Sequence, residues 1–164
     1  MSKLTQRRLK ELLDYNPATG EFFWKVARHK VKVGDRAGGI GSKDKGYWDI
    51  GIDGKRYRAH RLAWFYVHGK WSKLDHKNRD PLDNRISNLR EASNKQNQGN
   101  RKINQNNRSG LKGVIQFRKK WRAQIGHNSK VIWLGDFLTP ELAHQAYCEK
   151  AKELFGEFFC DGVV

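Results

Sequence analysis

From Ala92 through Gly135 the chain has no aspartate or glutamate. The same stretch carries ten basic residues: Lys95, Arg101, Lys102, Arg108, Lys112, Arg118, Lys119, Lys120, Arg122 and Lys130. Such a segment cannot neutralise itself with local ion pairs. Its basic side chains must stay at the surface, and a polyanion is their natural counter-charge. The whole chain leans the same way: 33 Lys and Arg against 17 Asp and Glu leave a net charge of +16. A surplus of that size points to nucleic acid. Aromatic residues reach 12% of the 164, six of them Trp, which supports one ordinary domain or two small ones rather than a disordered chain. The two cysteines, Cys148 and Cys160, form no C-x-x-C pair, so no zinc is expected, and reduced thiols suit a cytoplasm. No apolar run approaches membrane-spanning length, and "MSKLTQRRLK" lacks a signal-peptide core. The expectation is a soluble cytoplasmic protein with no membrane partner.

Punctuation divides the chain. Residues 1–46 form an N-terminal region: "LTQRRLKELLDYN" predicts an amphipathic helix capped by Thr5, "EFFWKVA" a strand, and "GDRAGGIGSKDKG" a glycine-rich loop. Residues 47–104 form a second domain. "YWDIGI" and "KRYRAH" alternate around Asp53-Gly54, a strong hairpin signal. "RLAWFYVHG" predicts a helix stopped by Gly69, "LDH" and "NLREA" predict short strands, and Ser93 caps a helix through about Asn104. Residues 105–110 are a linker. Residues 111–164 hold three strands, "GVIQF", "WRAQI" and "VIWLGDF". A helix follows, with Thr139 as N-cap, Pro140 in its first turn and Gly156 past its end. This is an α+β chain whose last module is a three-stranded antiparallel sheet packed on one helix.

The stretch "DHKNRDPLDNRISNLREASNKQN", Asp75 to Asn97, concentrates chemistry. Hydrolysing a phosphodiester requires a base for water and a means of offsetting charge on the phosphate and the leaving oxygen. A neutral imidazole suits the first task. A hard divalent cation held by oxygen donors suits the second. Asp75 and His76 are neighbours on a strand, so their side chains leave opposite faces. Asparagines at 94, 97 and 100 lie on or beside the helix that follows.

This constellation, together with "AHRLAWFYVHG" upstream, resembles the HNH endonucleases, and most closely their phage homing branch. The resemblance implies a ββα-metal nuclease domain with His76 as general base and Asp75 as a metal ligand. Spacing favours Asn97 among the three asparagines as the second ligand. Asn88, with Asn84, would brace the loop. The cofactor implied is Mg2+ or Mn2+, without a small-molecule cofactor. His60 precedes the helix as a histidine does in that family, and a structural role is expected of it.

The segment "GVIQFRKKWRAQIGHNSKVIWLGDFLTPELAHQAYCEKAKELFGEF" resembles the ethylene-response-factor (APETALA-type) DNA-binding domain. Alternation turns Arg122, Gln124, Val131 and Trp133 away from the helix, and Gln124 and Trp133 match contact positions of that family. The resemblance implies duplex-DNA binding, with Arg101, Lys102, Lys112, Arg118, Lys119 and Lys120 also on the polyanion. The expected whole is a monomeric or weakly dimeric endonuclease that nicks double-stranded DNA. The alternative is a DNA-binding regulator whose nuclease domain has decayed.

Overall fold

Thr5 starts the first helix by accepting a hydrogen bond from the Arg8 amide, and α1 runs Gln6–Leu12 with Leu9 and Leu12 buried. The helix stops there. Leu13–Asn16 is a strand, β1, paired antiparallel with β2, Glu21–Trp24. The helix expected to continue through "LLDYN" therefore ends at Leu12, short of Asn16. Leu13 and Tyr15 alternate into the core, and pairing with the following aromatic strand outweighs one more helical turn. At the connecting turn, Gly20 has φ +78°, and a Cβ on it would lie 2.5 Å from the Arg85 nitrogen. Only glycine lets this turn approach the backbone beside Asn84.

The computed structural model describes residues 4–41, 46–104 and 106–162. Residues 42–45 of the glycine-rich loop and residue 105 of the linker lie outside the described residues. The chain divides into two compact units, Met1–Glu91 and Ala92–Val164. The division falls inside the stretch 47–104.

In the first unit, β3 (Gly39–Ile40), β4 (Trp48–Ile52) and β5 (Lys55–Arg58) form an antiparallel sheet in that order. Asp53 and Gly54, both at positive φ, make the β4–β5 turn. Helix α2, Ala59–His68, follows directly, and Gly69 closes it in the left-handed conformation. Strands β6 (Leu74–His76) and β7 (Leu89–Glu91) pair antiparallel, joined by a long loop that ends in a 3-10 turn, Ile86–Asn88. Leu9, Leu13, Phe22, Ile50, Ile52 and Leu62 are the most deeply buried side chains of this core. Each contributes about 1.5–3 kcal/mol by leaving water.

In the second unit, Ser93 caps α3, Asn94–Gly99, with a reciprocal capping box to Gln96. This helix ends at Gly99 instead of near Asn104. A Cβ at Gly99 would lie 2.7 Å from Phe155, so close packing fixes the backbone where the helix stops. Strands β8 (Val114–Phe117), β9 (Lys120–His127) and β10 (Lys130–Phe137) form an antiparallel sheet in the order β10-β9-β8. Helix α4, Pro140–Phe155, is capped by Thr139 and buries Ala143, Tyr147, Ala151 and Phe155. Val114, Ala123 and Ala143 share one core cluster, and Ile125, Tyr147 and Phe155 another. The register slips between Trp133 and Gly135, where Gly135 has φ +133°. That bulge places both Trp133 and Asp136 opposite outward positions of β9, Gln124 and Arg122. No described helix is long and apolar enough to cross a membrane.

Candidate active site

The loop from Lys77 to Asn88 is held by its own amides. Asn88 accepts a hydrogen bond at Oδ1 from the Asn78 amide (3.1 Å). Its Nδ2 donates to Asn78 Oδ1 (2.9 Å) and to the Asp83 carbonyl (2.8 Å). Asn78 in turn donates to Asp83, and Arg85 grips the same carboxylate through Nε and Nη2. Asparagine and aspartate recur here because a short amide or carboxylate can substitute for backbone partners in a turn.

This bracing positions Asn84, which is buried. Its carbonyl accepts from the Tyr15 hydroxyl (2.8 Å), and its Nδ2 donates to the Leu82 carbonyl (3.2 Å). Burial pushes the Tyr15 hydroxyl up to about 12, so it stays a donor. With Nδ2 so engaged, Asn84 turns Oδ1 toward His76 Nε2, 3.4 Å away. A carboxamide oxygen only accepts, so Nε2 carries the proton and Nδ1 keeps its lone pair. Burial holds the His76 imidazole below its ordinary pKa, against the opposing pull of Asn84 and of Asp75, Asp80 and Asp83. The ring is neutral near pH 7, as a base must be.

Asp75 stands opposite Arg90 in the β6–β7 register. Arg90 Nε (3.0 Å) and Nη2 (2.8 Å) both donate to Asp75 Oδ2, and the two side chains are 14% and 12% exposed for Arg90 and Asp75. This pairing fixes the orientation of the Asp75 carboxylate. Among the described residues, no three His, Cys, Asp or Glu side chains gather as a metal cluster. Asp75 is nonetheless an oxygen donor of the kind a hard cation takes.

Two further aromatic rings complete the cluster. The His60 ring lies edge-on to His76 with centroids 4.9 Å apart, and Tyr47 lies 5.4 Å from His60 and 6.2 Å from His76. The Arg58 guanidinium covers Tyr47 at 4.3 Å. His60 is 8% exposed, and burial, then His76, Arg58 and Arg61, push its pKa down to about 3.

The second unit carries the remaining sequence candidates. Asn97 is half-buried on α3, its amide bonded to the Ser93 carbonyl; Asn94 is exposed and Asn100 is buried. Lys112 Nζ donates to the carbonyls of Gly99 (2.9 Å), Arg101 (2.7 Å) and Cys160 (3.0 Å), which engages its three N–H groups. Arg122 is paired with both oxygens of Asp136 and stacked 3.7 Å from the Phe117 ring. Arg101, Lys102, Arg118, Lys119 and Lys120 are exposed, Gln124 is half-buried, and Trp133 is 63% exposed.

Residues 57–98 match the model of a family described as HNH endonuclease. The matched segment holds His60, Asp75, His76, Asn84, Asn88, Arg90 and Asn97. It supports a nuclease domain with DNA as the substrate class, and HNH nucleases generally use a divalent metal. No curated protein and no solved structure matches the chain.

Sequence reasoning overlooked Tyr15, Tyr47, Asn78 and Arg90. Arg90 had a legible signal: pairing "LDH" with "LRE" in antiparallel register sets it opposite Asp75. Tyr15 and Tyr47 lie outside the matched segment, and only the folded chain brings them in.

Proposed function

We propose that this chain is a metal-dependent endonuclease that hydrolyses one phosphodiester of double-stranded DNA. The observation that carries the reading is His76: a buried, neutral imidazole held at Nε2 by Asn84, inside the HNH-matched segment. His76 takes the proton from a water at Nδ1, and the resulting hydroxide attacks phosphorus as the 3′ oxygen leaves. Asn84 holds the ring in the tautomer that does this. Asn88 keeps the loop beneath Asn84 in shape. Asp75, oriented by Arg90, is the carboxylate ligand, and Asn97 is the amide ligand; its role rests on the sequence resemblance alone. A divalent cation bound there would offset charge on the phosphate and stabilise the departing oxygen. The products carry 5′ phosphate and 3′ hydroxyl.

The second unit serves as the duplex-binding module, by its resemblance to the ethylene-response-factor domain. Arg101, Lys102, Arg118, Lys119 and Lys120 contact phosphates, while Gln124 and Trp133 face the groove. Lys112 and Arg122 instead hold the unit together. One site per chain cuts one strand, so the product is a nick, as suits a phage homing enzyme.

A non-catalytic DNA-binding regulator is the second reading, and the Asp75–Arg90 pair favours it, because the guanidinium engages the carboxylate a metal would need. A supercoiled-plasmid assay decides. The nuclease reading expects nicked circles with Mg2+ or Mn2+ and none with EDTA. Duplex binding with no nicking under any divalent cation would establish the regulator.

A further inference from the structure

The outward face of the second unit's sheet is less polar than the charge of the chain suggests. Ile115 and Phe117 on β8 and Val131 and Trp133 on β10 turn away from the helix, and each is 37% to 69% exposed. Exposed apolar side chains are ordinary when single; four on one small sheet mark a contact surface. Basic side chains bracket them. Arg118, Lys119 and Lys120 are exposed at the β8–β9 turn, and Lys130 is exposed where β10 begins, at the opposite end of β9. An apolar centre between cationic ends suits a duplex groove, where phosphates flank the base edges. A second copy of this chain, with the same charge of +16, would be repelled instead.

The polar groups on the face narrow what it can read. Guanine is read by a cationic fork at O6 and N7. The guanidinium on this face, Arg122, is paired with both oxygens of Asp136 and lies 3.7 Å from the centre of the Phe117 ring. Trp133 Nε1 donates to the same carboxylate (3.4 Å). Gln124 stands opposite Trp133 in the register, and glutamine is a residue that pairs with adenine at N6 and N7. Apolar side chains in a major groove meet the 5-methyl group of thymine.

We propose that this face reads A·T pairs in the major groove, packing thymine 5-methyl groups against Ile115, Phe117, Val131 and Trp133. This rests on the duplex-binding reading of the second unit and adds to it the base that is preferred. Burying one methyl-sized group changes affinity about 4-fold, so two such contacts give at least about 10-fold.

The test uses the intact chain in EDTA, which stops metal-dependent cutting. Duplexes retained from a random library should be enriched in A·T pairs. The best-retained duplex, resynthesised with uracil in place of thymine, loses only its methyl groups. By fluorescence anisotropy it should bind at least about 10-fold more weakly. A chain carrying both Val131→Ser and Trp133→Ser should melt as the wild type does, since both side chains are exposed. Its thymine-to-uracil ratio should shrink by about 4-fold or more. A retained set that is unbiased or rich in G·C overturns the proposal. So does a uracil duplex bound as tightly as the thymine one, or a double variant that keeps the full ratio. A dimer that the double substitution dissociates, with the ratio unchanged, would assign the face to a second copy and overturn it too. If no duplex is retained, the duplex-binding reading fails and takes the proposal with it; retention without thymine preference sinks the proposal alone.

Discussion

At His76, the proposed base, a single carboxamide and a low-dielectric surround set the state of the ring. Neither acts alone: without burial the ring would titrate near 6.5, and without Asn84 its tautomer would be open. His76→Ala should lower nicking by about 10²–10⁴-fold while duplex binding persists, because a general base contributes that much to rate and nothing to phosphate affinity. Nicking at the wild-type rate by this variant would remove His76 from the mechanism. His60 makes a separate prediction about stability. Its folded pKa, about 3, lies below its unfolded value of 6.5. Between those values the unfolded chain binds the extra proton, so stability is full above about pH 6.5 and falls on acidification, by about 1.4 kcal/mol per pH unit. His60→Phe should flatten that fall, read as the melting temperature between pH 6.5 and 4. An unchanged pH slope would mean that His60 is protonated in the fold. Arg90 carries a third consequence: with both partners nearly buried, Arg90→Ala removes the guanidinium from the Asp75 carboxylate and should cost about 3–5 kcal/mol of unfolding free energy in denaturant titration.

Elements matter here through the loop between β6 and β7. Asn88, at its end, is tied to its beginning at Asn78 and to its middle at Asp83. Asn88→Ala strands an amide and a carbonyl and should cost about 1–3 kcal/mol in thermal unfolding. Cleavage should suffer more than binding, since Asn84 rides on the same loop. An equal loss of both would place Asn88 in DNA contact rather than in loop support. Much of the element plan was legible in sequence. Asp53-Gly54 forced the β4–β5 hairpin, and Thr139, Pro140 and Gly156 marked α4, because turn and cap chemistry is local. The break between α1 and β1 was not legible, since Leu9, Leu12, Leu13 and Tyr15 fit a helical face as well as a strand until the partner strand is known. Length misled at α3 for a similar reason: Ser93 announces the start, but the stop depends on Phe155, far along the chain. At the site, Asp75, His76, Asn84 and Asn88 could be picked from one short stretch. The contacts that set their chemistry, from Tyr15, Tyr47 and His60, are long-range and appear only on folding.

Across the whole molecule, the charge of +16 is not one uniform resource. Lys112 donates its three N–H groups to main-chain carbonyls, and the Arg122 guanidinium is charge-paired with Asp136, so neither charge is as available to a phosphate as an exposed one. Arg101, Lys102, Arg118, Lys119 and Lys120 are exposed and make up the basic surface proposed to bind. Counterion release turns that division into a number. Each phosphate neutralised on duplex DNA adds about −0.9 to the slope of log affinity against log salt. Five such contacts predict a slope of about −4 to −5, measured by fluorescence anisotropy of a labelled duplex over a salt series. Replacing Arg118 and Lys119 together should make the slope shallower by about 2 without lowering the melting temperature, since both are exposed on the β8–β9 turn. Lys112→Met should do the reverse: it orphans three carbonyls and lowers the melting temperature, and at a temperature where the variant is folded its slope should equal that of the wild type. If instead Lys112→Met flattens the slope while the Arg118 and Lys119 variant leaves it unchanged, the polyanion lies on the other side of the sheet from the one proposed.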